Sequence, residues 1–210
     1  MDKAFWERFA SLYDLAMKTR GGAADEAAAW AAARVAPDAR VLDAACGTGL
    51  FACALAPGAA RVDACDYAPA MVERTRAKAA RLGLANVSCS VEDACALSFA
   101  DDAFDAAVAA NVLHLLDRPE AALAELSRVT KADGLLILPN YVNAESDGAM
   151  RFQKLIGAAG FSPARSWTAD GYRAFLEANG LVVEESRLFD ARQPLLVAAA
   201  RVVGRAARRG

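Results

Sequence analysis

Three aspartates, Asp43, Asp66 and Asp93, each stand at the end of a short apolar run, and the first leads into the glycine turn of "VLDAACGTGL", residues 41–50. Gly47, Thr48, Gly49, Leu50, Phe51 and Ala52 match the spacing G-x-G-x-x-G/A, in which small residues let the backbone approach a ligand and a following helix offers unpaired N–H groups. Such turns usually hold phosphates. A phosphate beside Asp43 would meet a like charge, at roughly 4 kcal/mol for two unit charges a few Å apart in an intermediate dielectric. The chemistry that suits this loop is therefore a positively charged nucleoside. Oxidoreduction with a nicotinamide dinucleotide is the competing reading, and Asp43 opposes it.

Other residue types that could do chemistry are few. His114 is the chain's one histidine, set in "NVLHLL" after an apolar run, where it could act as a general base or simply pack. Tyr141 follows a later run and is the second catalytic candidate. Cys46, Cys53, Cys65, Cys89 and Cys95 contain no C-x-x-C pair and read as compact apolar residues kept reduced. Thiol chemistry on a metal or arsenic is the sharper alternative for Cys46, and no metal site is expected.

The elements that must position these groups alternate in character. "RVLDAA", "ARVDACD", "NVSCSVED", "FDAAVAANVL" and "LLILPNY" read as strands. "GLFACALAPG", "PAMVERTRAKAARLG" and "PEAALAELSRVTKADG" read as helices between them, the second opened by Pro69 and closed by Gly83. That order predicts parallel strands joined by crossover helices. Two helices, in "DKAFWERFASLYDLAMK" and "DEAAAWAAARVA", precede the first strand. "ADGYRAFLEANG" reads as a late helix starting near Thr168 and stopped by Gly180, followed by an antiparallel hairpin, "LVVEESRLF" and "PLLVAAARVV", at the sheet's edge. The three acids then share the carboxyl edge of the strands, where open parallel sheets bind ligands.

At 210 residues the chain suits one domain, and 24 basic against 26 acidic side chains leave a net charge of -2. No global field or internal basic stripe draws it to nucleic acid. The start lacks the apolar core of a signal peptide and the late run "PLLVAAARVVG" is too short to span a bilayer, so a cytoplasmic protein without stable membrane insertion is expected. Arg201, Arg205, Arg208 and Arg209 near the end read as a solvated tail, with contact to a membrane-borne lipid or quinone as a minor alternative.

"VLDAACGTG" resembles the first motif of the class I S-adenosylmethionine-dependent methyltransferases, especially the small-molecule group that includes the quinone-biosynthesis enzymes; Ala44 and Ala45 stand where Leu and Gly are commoner. The resemblance implies a Rossmann-like three-layer α/β sandwich, with a mostly parallel seven-stranded sheet and an antiparallel C-terminal β-hairpin. It implies S-adenosylmethionine as cofactor, leaving as S-adenosylhomocysteine. The cofactor is cationic and carries no phosphate, which agrees with Asp43. The turn residues Asp43, Ala45, Gly47, Thr48 and Gly49 would hold it. Asp66 would bind both ribose hydroxyls, with Tyr67 following it and Met71 beside the adenine. Asp93 and the Ala94 amide would meet the adenine edge, and Asn111 would line the methionine portion. Residues 1–36 would form a helical lid in which Tyr13, with Asp14, folds over the cofactor, and Phe5, Trp6 and Phe9 share the same helix. Residues 38–140 would be the cofactor-binding core, 141–168 the acceptor segment with Tyr141, Phe152, Phe161 and Trp167, and 169–203 the final helix and hairpin. "RVTKADG" stands where the family usually turns through K-P-G-G. The expected activity is methyl transfer to a small-molecule acceptor by in-line displacement. A non-catalytic cofactor binder is the remaining alternative.

Overall fold

A computed structural model describes residues 22–143, 164–191 and 193–202. Tyr13 and the rest of the first helix, Phe152, Phe161, Arg205, Arg208 and Arg209 lie outside the described residues.

Seven strands form one sheet: β1 Arg40–Ala44, β2 Arg61–Asp66, β3 Val87–Val91, β4 Phe104–Val108, β5 Thr130–Tyr141, β6 Leu181–Phe189 and β7 Leu195–Val202. Their spatial order is β3-β2-β1-β4-β5-β7-β6. The first five are parallel, and β7 runs antiparallel between β5 and β6. The C-terminal hairpin is thus present, but only β6 lies at the edge; β7 is an interior strand. Its sequence says why, since Leu195 to Ala200 are buried on both faces whereas β6 is largely exposed.

Five α-helices are described: α1 Ala23–Ala32, α2 Leu50–Leu55, α3 Pro69–Arg81, α4 Pro119–Val129 and α5 Ala169–Ala178. Strand residues alternate between the two faces of the sheet. Val41, Val62, Ile137 and Val197 face α1 and α2, while Leu42, Leu136, Leu138 and Leu196 face α4 and α5. Those layers make the expected α/β sandwich. Trp30 of α1 packs edge-on against Phe189 of β6, and Arg34 just beyond the helix pairs with Glu185 at 2.5 Å. The second helix of the expected lid therefore belongs to a packed layer.

Two boundaries differ from the sequence reading. β4 ends at Val108, so Asn111 lies three residues beyond it in the following loop. β5 starts at Thr130, and the expected turn through Lys131, Ala132 and Asp133 is extended. Thr130 pairs with Phe104, the register shifts by a bulge before Ala106 meets Leu135, and Lys131 forms an ion pair with Asp105. A Cβ on Gly134 would come within 2.8 Å of the Asp105 carbonyl oxygen, so the strand pair closes there only on a glycine.

Candidate cofactor and active site

The order of the parallel strands reverses between β1 and β4, with β2 and β3 added outward on one side and β5 on the other. In open α/β sheets the loops leaving the carboxyl ends of two such strands diverge, and ligands bind between them. Asp43, Asp66, Asp93, Asn111, His114 and Tyr141 all lie at or just beyond the carboxyl ends of β1 to β5.

Asp43 has both a structural task and an unfilled capacity. Helix α2 begins at Gly49, which has no side chain with which to cap it, and the Ala52 amide donates instead to Asp43 Oδ2 at 2.8 Å. Asp43 Oδ1 is buried with no hydrogen-bond partner. The side chain is 1% exposed, and burial, reinforced by nearby Asp66, pushes its pKa up to about 7; the Ala52 amide and Lys78 pull the other way.

The turn after Asp43 is held open by its backbone. Ala45, Gly47 and Gly49 have φ of 57°, 56° and 77°, all left-handed. Ala45 takes that conformation without glycine's freedom, at a cost of about 1–2 kcal/mol, which gives a physical reason for the glycine commoner at this place. A Cβ on Gly49 would lie 2.8 Å from Thr75 Cγ2 of α3. The Thr75 hydroxyl donates to the Gly47 carbonyl at 2.9 Å and so pins the turn. Sequence reasoning missed Thr75; its signal is a hydroxyl on the otherwise apolar stripe Met71, Val72, Thr75 and Ala79. Thr48, in the middle of the turn, is buried.

Asp66 joins two loops, its carboxylate accepting from the Gly47 amide and from the Ala68 amide, each at 2.9 Å. Burial raises its pKa and those amides lower it. Each oxygen accepts one of these bonds and has a second lone pair besides. Tyr67 beside it is half exposed, while Met71 is buried against Ala68 and Ala70 in a small cluster apart from the two main cores. Asp93 accepts from the Cys95 amide at 2.8 Å, and the Ala94 side chain is buried.

A second network lies at the ends of β4 and β5. Asn111, at a φ of 55° that asparagine tolerates, donates its amide N–H to the Pro139 carbonyl and accepts the Tyr141 amide on Oδ1. His114, in a 3-10 turn over Leu113–Leu115, has Nδ1 2.9 Å from Asn140 Oδ1, and its ring lies edge-on to that of Tyr141, with centroids 6.4 Å apart. Asn140, also missed in the sequence, is a fully buried polar residue at the apolar end of β5. Trp167, expected in the acceptor segment, stacks at a tilt on Tyr172 and Phe175 of α5 at 5.4 and 4.8 Å, so its ring belongs to helix packing.

Residues 42–138 match the model of the methyltransferase domain, from within β1 into β5. This part of the chain is similar to that family. The chain is 31% identical over 155 residues to an uncharacterized protein of Mycobacterium tuberculosis, covering 72% of the chain and 56% of that relative. It is 44% identical over 102 residues to a demethylmenaquinone methyltransferase of Thermus thermophilus, covering 47% of the chain and 46% of the relative. The chain thus spans about half the length of these curated relatives. The magnesium protoporphyrin IX methyltransferase of Synechocystis, solved with bound S-adenosylhomocysteine, shares the fold, with a TM-score of 0.67, 23% identity and coverage of 85% and 81% of the two chains. Within the methyltransferase domain the match begins beside Asp43 and takes in the glycine turn, Asp66, Asp93, Asn111 and His114. Among the described residues no cluster of three or more His, Cys, Asp or Glu could hold a metal ion, and no helix is long and apolar enough to cross a membrane.

Proposed function

We propose that this protein binds S-adenosylmethionine in the crevice between β1 and β4 and transfers its methyl group to a small-molecule acceptor. The observation that carries this reading is Asp43: a buried carboxyl with one oxygen lacking a partner, beside a turn that admits no Cβ at Gly49. Such a group gains when a cation approaches, because the cation compensates the ionised form that burial penalises. When bound, the cofactor supplies an activated methyl carbon on a positively charged sulfur.

The residues on hand then divide the work. Asp43 favours the positive charge, and the glycine turn, pinned by Thr75, brings backbone close to the ligand. Asp66 accepts the ribose hydroxyls on the lone pairs left by Gly47 and Ala68, and Asp93 with the Ala94 amide reads the adenine edge. Tyr67 and Met71 flank the nucleoside, and Asn111 borders the methionine portion. Tyr141 faces the acceptor. Positioning of two reactants and exclusion of water account for roughly 7–11 kcal/mol in well-oriented reactions, so a catalytic triad is not required. Two neighbouring acids oppose the pyrophosphate of a nicotinamide dinucleotide. The similarity to demethylmenaquinone methyltransferases supports a small, partly apolar acceptor.

Calorimetry with S-adenosylmethionine, S-adenosylhomocysteine and NADH is the test. Micromolar or tighter binding of the first two, absent for NADH and reduced at least tenfold by Asp66→Ala, is the expected result. NADH binding, or no binding of either adenosyl compound, overturns the reading.

A further inference from the structure

The orientation of Asn140 determines which nitrogen of His114 carries a proton. The Asn140 Nδ2 group donates to the Tyr141 carbonyl at 2.8 Å, which commits Oδ1, an obligate acceptor, to face His114 Nδ1 at 2.9 Å. Two acceptors cannot share that contact, so Nδ1 is the protonated nitrogen and Nε2 carries the ring's lone pair. The contact is held from both sides. Asn140 is fully buried and His114 is 7% exposed, while the His114 carbonyl accepts the Arg165 amide at 3.1 Å. Arg165 is itself tied to Glu120 at 2.6 Å. The Asn111 bond to the Tyr141 amide fixes the same strand end from the crevice side.

We propose that Asn140 is a positioning residue that presents His114 Nε2 as a general base, and that the acceptor is therefore an oxygen or carbon acid, a phenol, enol or activated C–H. This deepens the methyltransferase reading and rests on it. An amine attacks through a lone pair it already has and can shed its proton afterwards, whereas a hydroxyl or C–H must lose its proton as the new bond forms. The acceptor's O–H or C–H bond breaks and its proton goes to Nε2. The electron pair left behind forms the bond to the methyl carbon. The methyl–sulfur bond breaks with its pair remaining on sulfur, which leaves as a neutral thioether, and the imidazolium later returns its proton to water. Asn140 suits this task better than an aspartate would, because a neutral amide fixes the tautomer without holding the ring in its charged form.

Because His114 is the chain's single histidine, nitrogen NMR of protein labelled with 15N-histidine reads its tautomer without assignment. Wild-type protein saturated with S-adenosylhomocysteine is expected to show protonated Nδ1 and unprotonated Nε2 near pH 8. Asn140→Leu is expected to shift the population toward the Nε2–H form, and Asn140→Asp to keep the Nδ1–H form. A wild-type Nε2–H tautomer overturns the proposal, and it does so without any variant that might misfold. Turnover is then followed as S-adenosylhomocysteine release with a phenol, a 1,3-dicarbonyl, a primary amine and a thiol as probes. Activity on the first two is expected, with kcat lowered about 100-fold in Asn140→Leu, KM for S-adenosylmethionine within about twofold, and the rising limb of the pH–rate profile moved to higher pH in Asn140→Asp. Turnover confined to the amine or thiol, or absent from both acids, overturns the acceptor class. Unchanged kcat in Asn140→Leu overturns the positioning role. Failure of the wild-type protein to bind S-adenosylhomocysteine instead sinks the methyltransferase reading itself, so the two failures are distinguishable.

Discussion

Asp43 shows how one side chain can serve the fold, and on the proposed function a ligand, while working against stability. In the unfolded chain its carboxyl ionises near 3.8, and in the folded protein near 7. Between those values the native state retains a proton that the unfolded state has released. Stability from this group is therefore complete below about pH 4 and falls as pH rises toward 7, by about 4 kcal/mol in all. Asp43→Asn keeps an acceptor for the Ala52 amide and removes the ionisation. It is expected to raise Tm by several degrees at pH 8 and to leave it nearly unchanged at pH 4, with S-adenosylmethionine binding weakened at least tenfold at the higher pH. Scanning calorimetry across that range checks the first part, and identical pH dependence in the two proteins contradicts it. A cation at the site favours the ionised form, so cofactor affinity is expected to rise from pH 5 to 7 in the wild-type protein and to lose that dependence in the variant.

At the scale of elements, caps and edges carry the information. Helix α5 begins at Thr168, whose hydroxyl accepts the Gly171 amide at 3.1 Å. Thr168→Ala is expected to cost about 1 kcal/mol in denaturant unfolding, with no loss of cofactor binding, since α5 packs on the sheet face and not at the crevice. That boundary was legible because Thr168 precedes a periodic apolar pattern and Gly180, at a φ of 81°, follows it. The start of β5 was not legible. Lys131, Ala132, Asp133 and Gly134 have turn-like composition, and what draws them into a strand is the bulged pairing with Phe104 and Ala106, a contact across more than twenty residues that local propensity does not encode. The acids at the strand ends were visible for the opposite reason: their spacing follows the strands themselves. Thr75 and Asn140 escaped notice because a lone polar residue in an apolar stripe shows its purpose only when its partner, distant in sequence, is in view.

For the molecule as a whole, the two apolar layers decide which groups stay chemically silent. Cys46, Cys53 and Cys65 are buried, Cys89 and Cys95 are partly covered, and burial raises the pKa of all five thiols. Native protein at pH 7 is expected to react slowly with a disulfide reagent, first at Cys89 and Cys95, while guanidinium exposes all five; fast labelling of Cys46 would restore a thiol role for the glycine turn. The placement of β7 has a consequence of another kind. It fills the gap between β5 and β6, yet it is the last of the seven strands to leave the ribosome. Until it emerges, a nascent chain presents the long, apolar flank of β5 with its hydrogen-bonding groups unsatisfied, a template on which a neighbouring polypeptide could pair. Protection of this protein by chaperones during synthesis should therefore end only when "LLVAAARV" is free to insert.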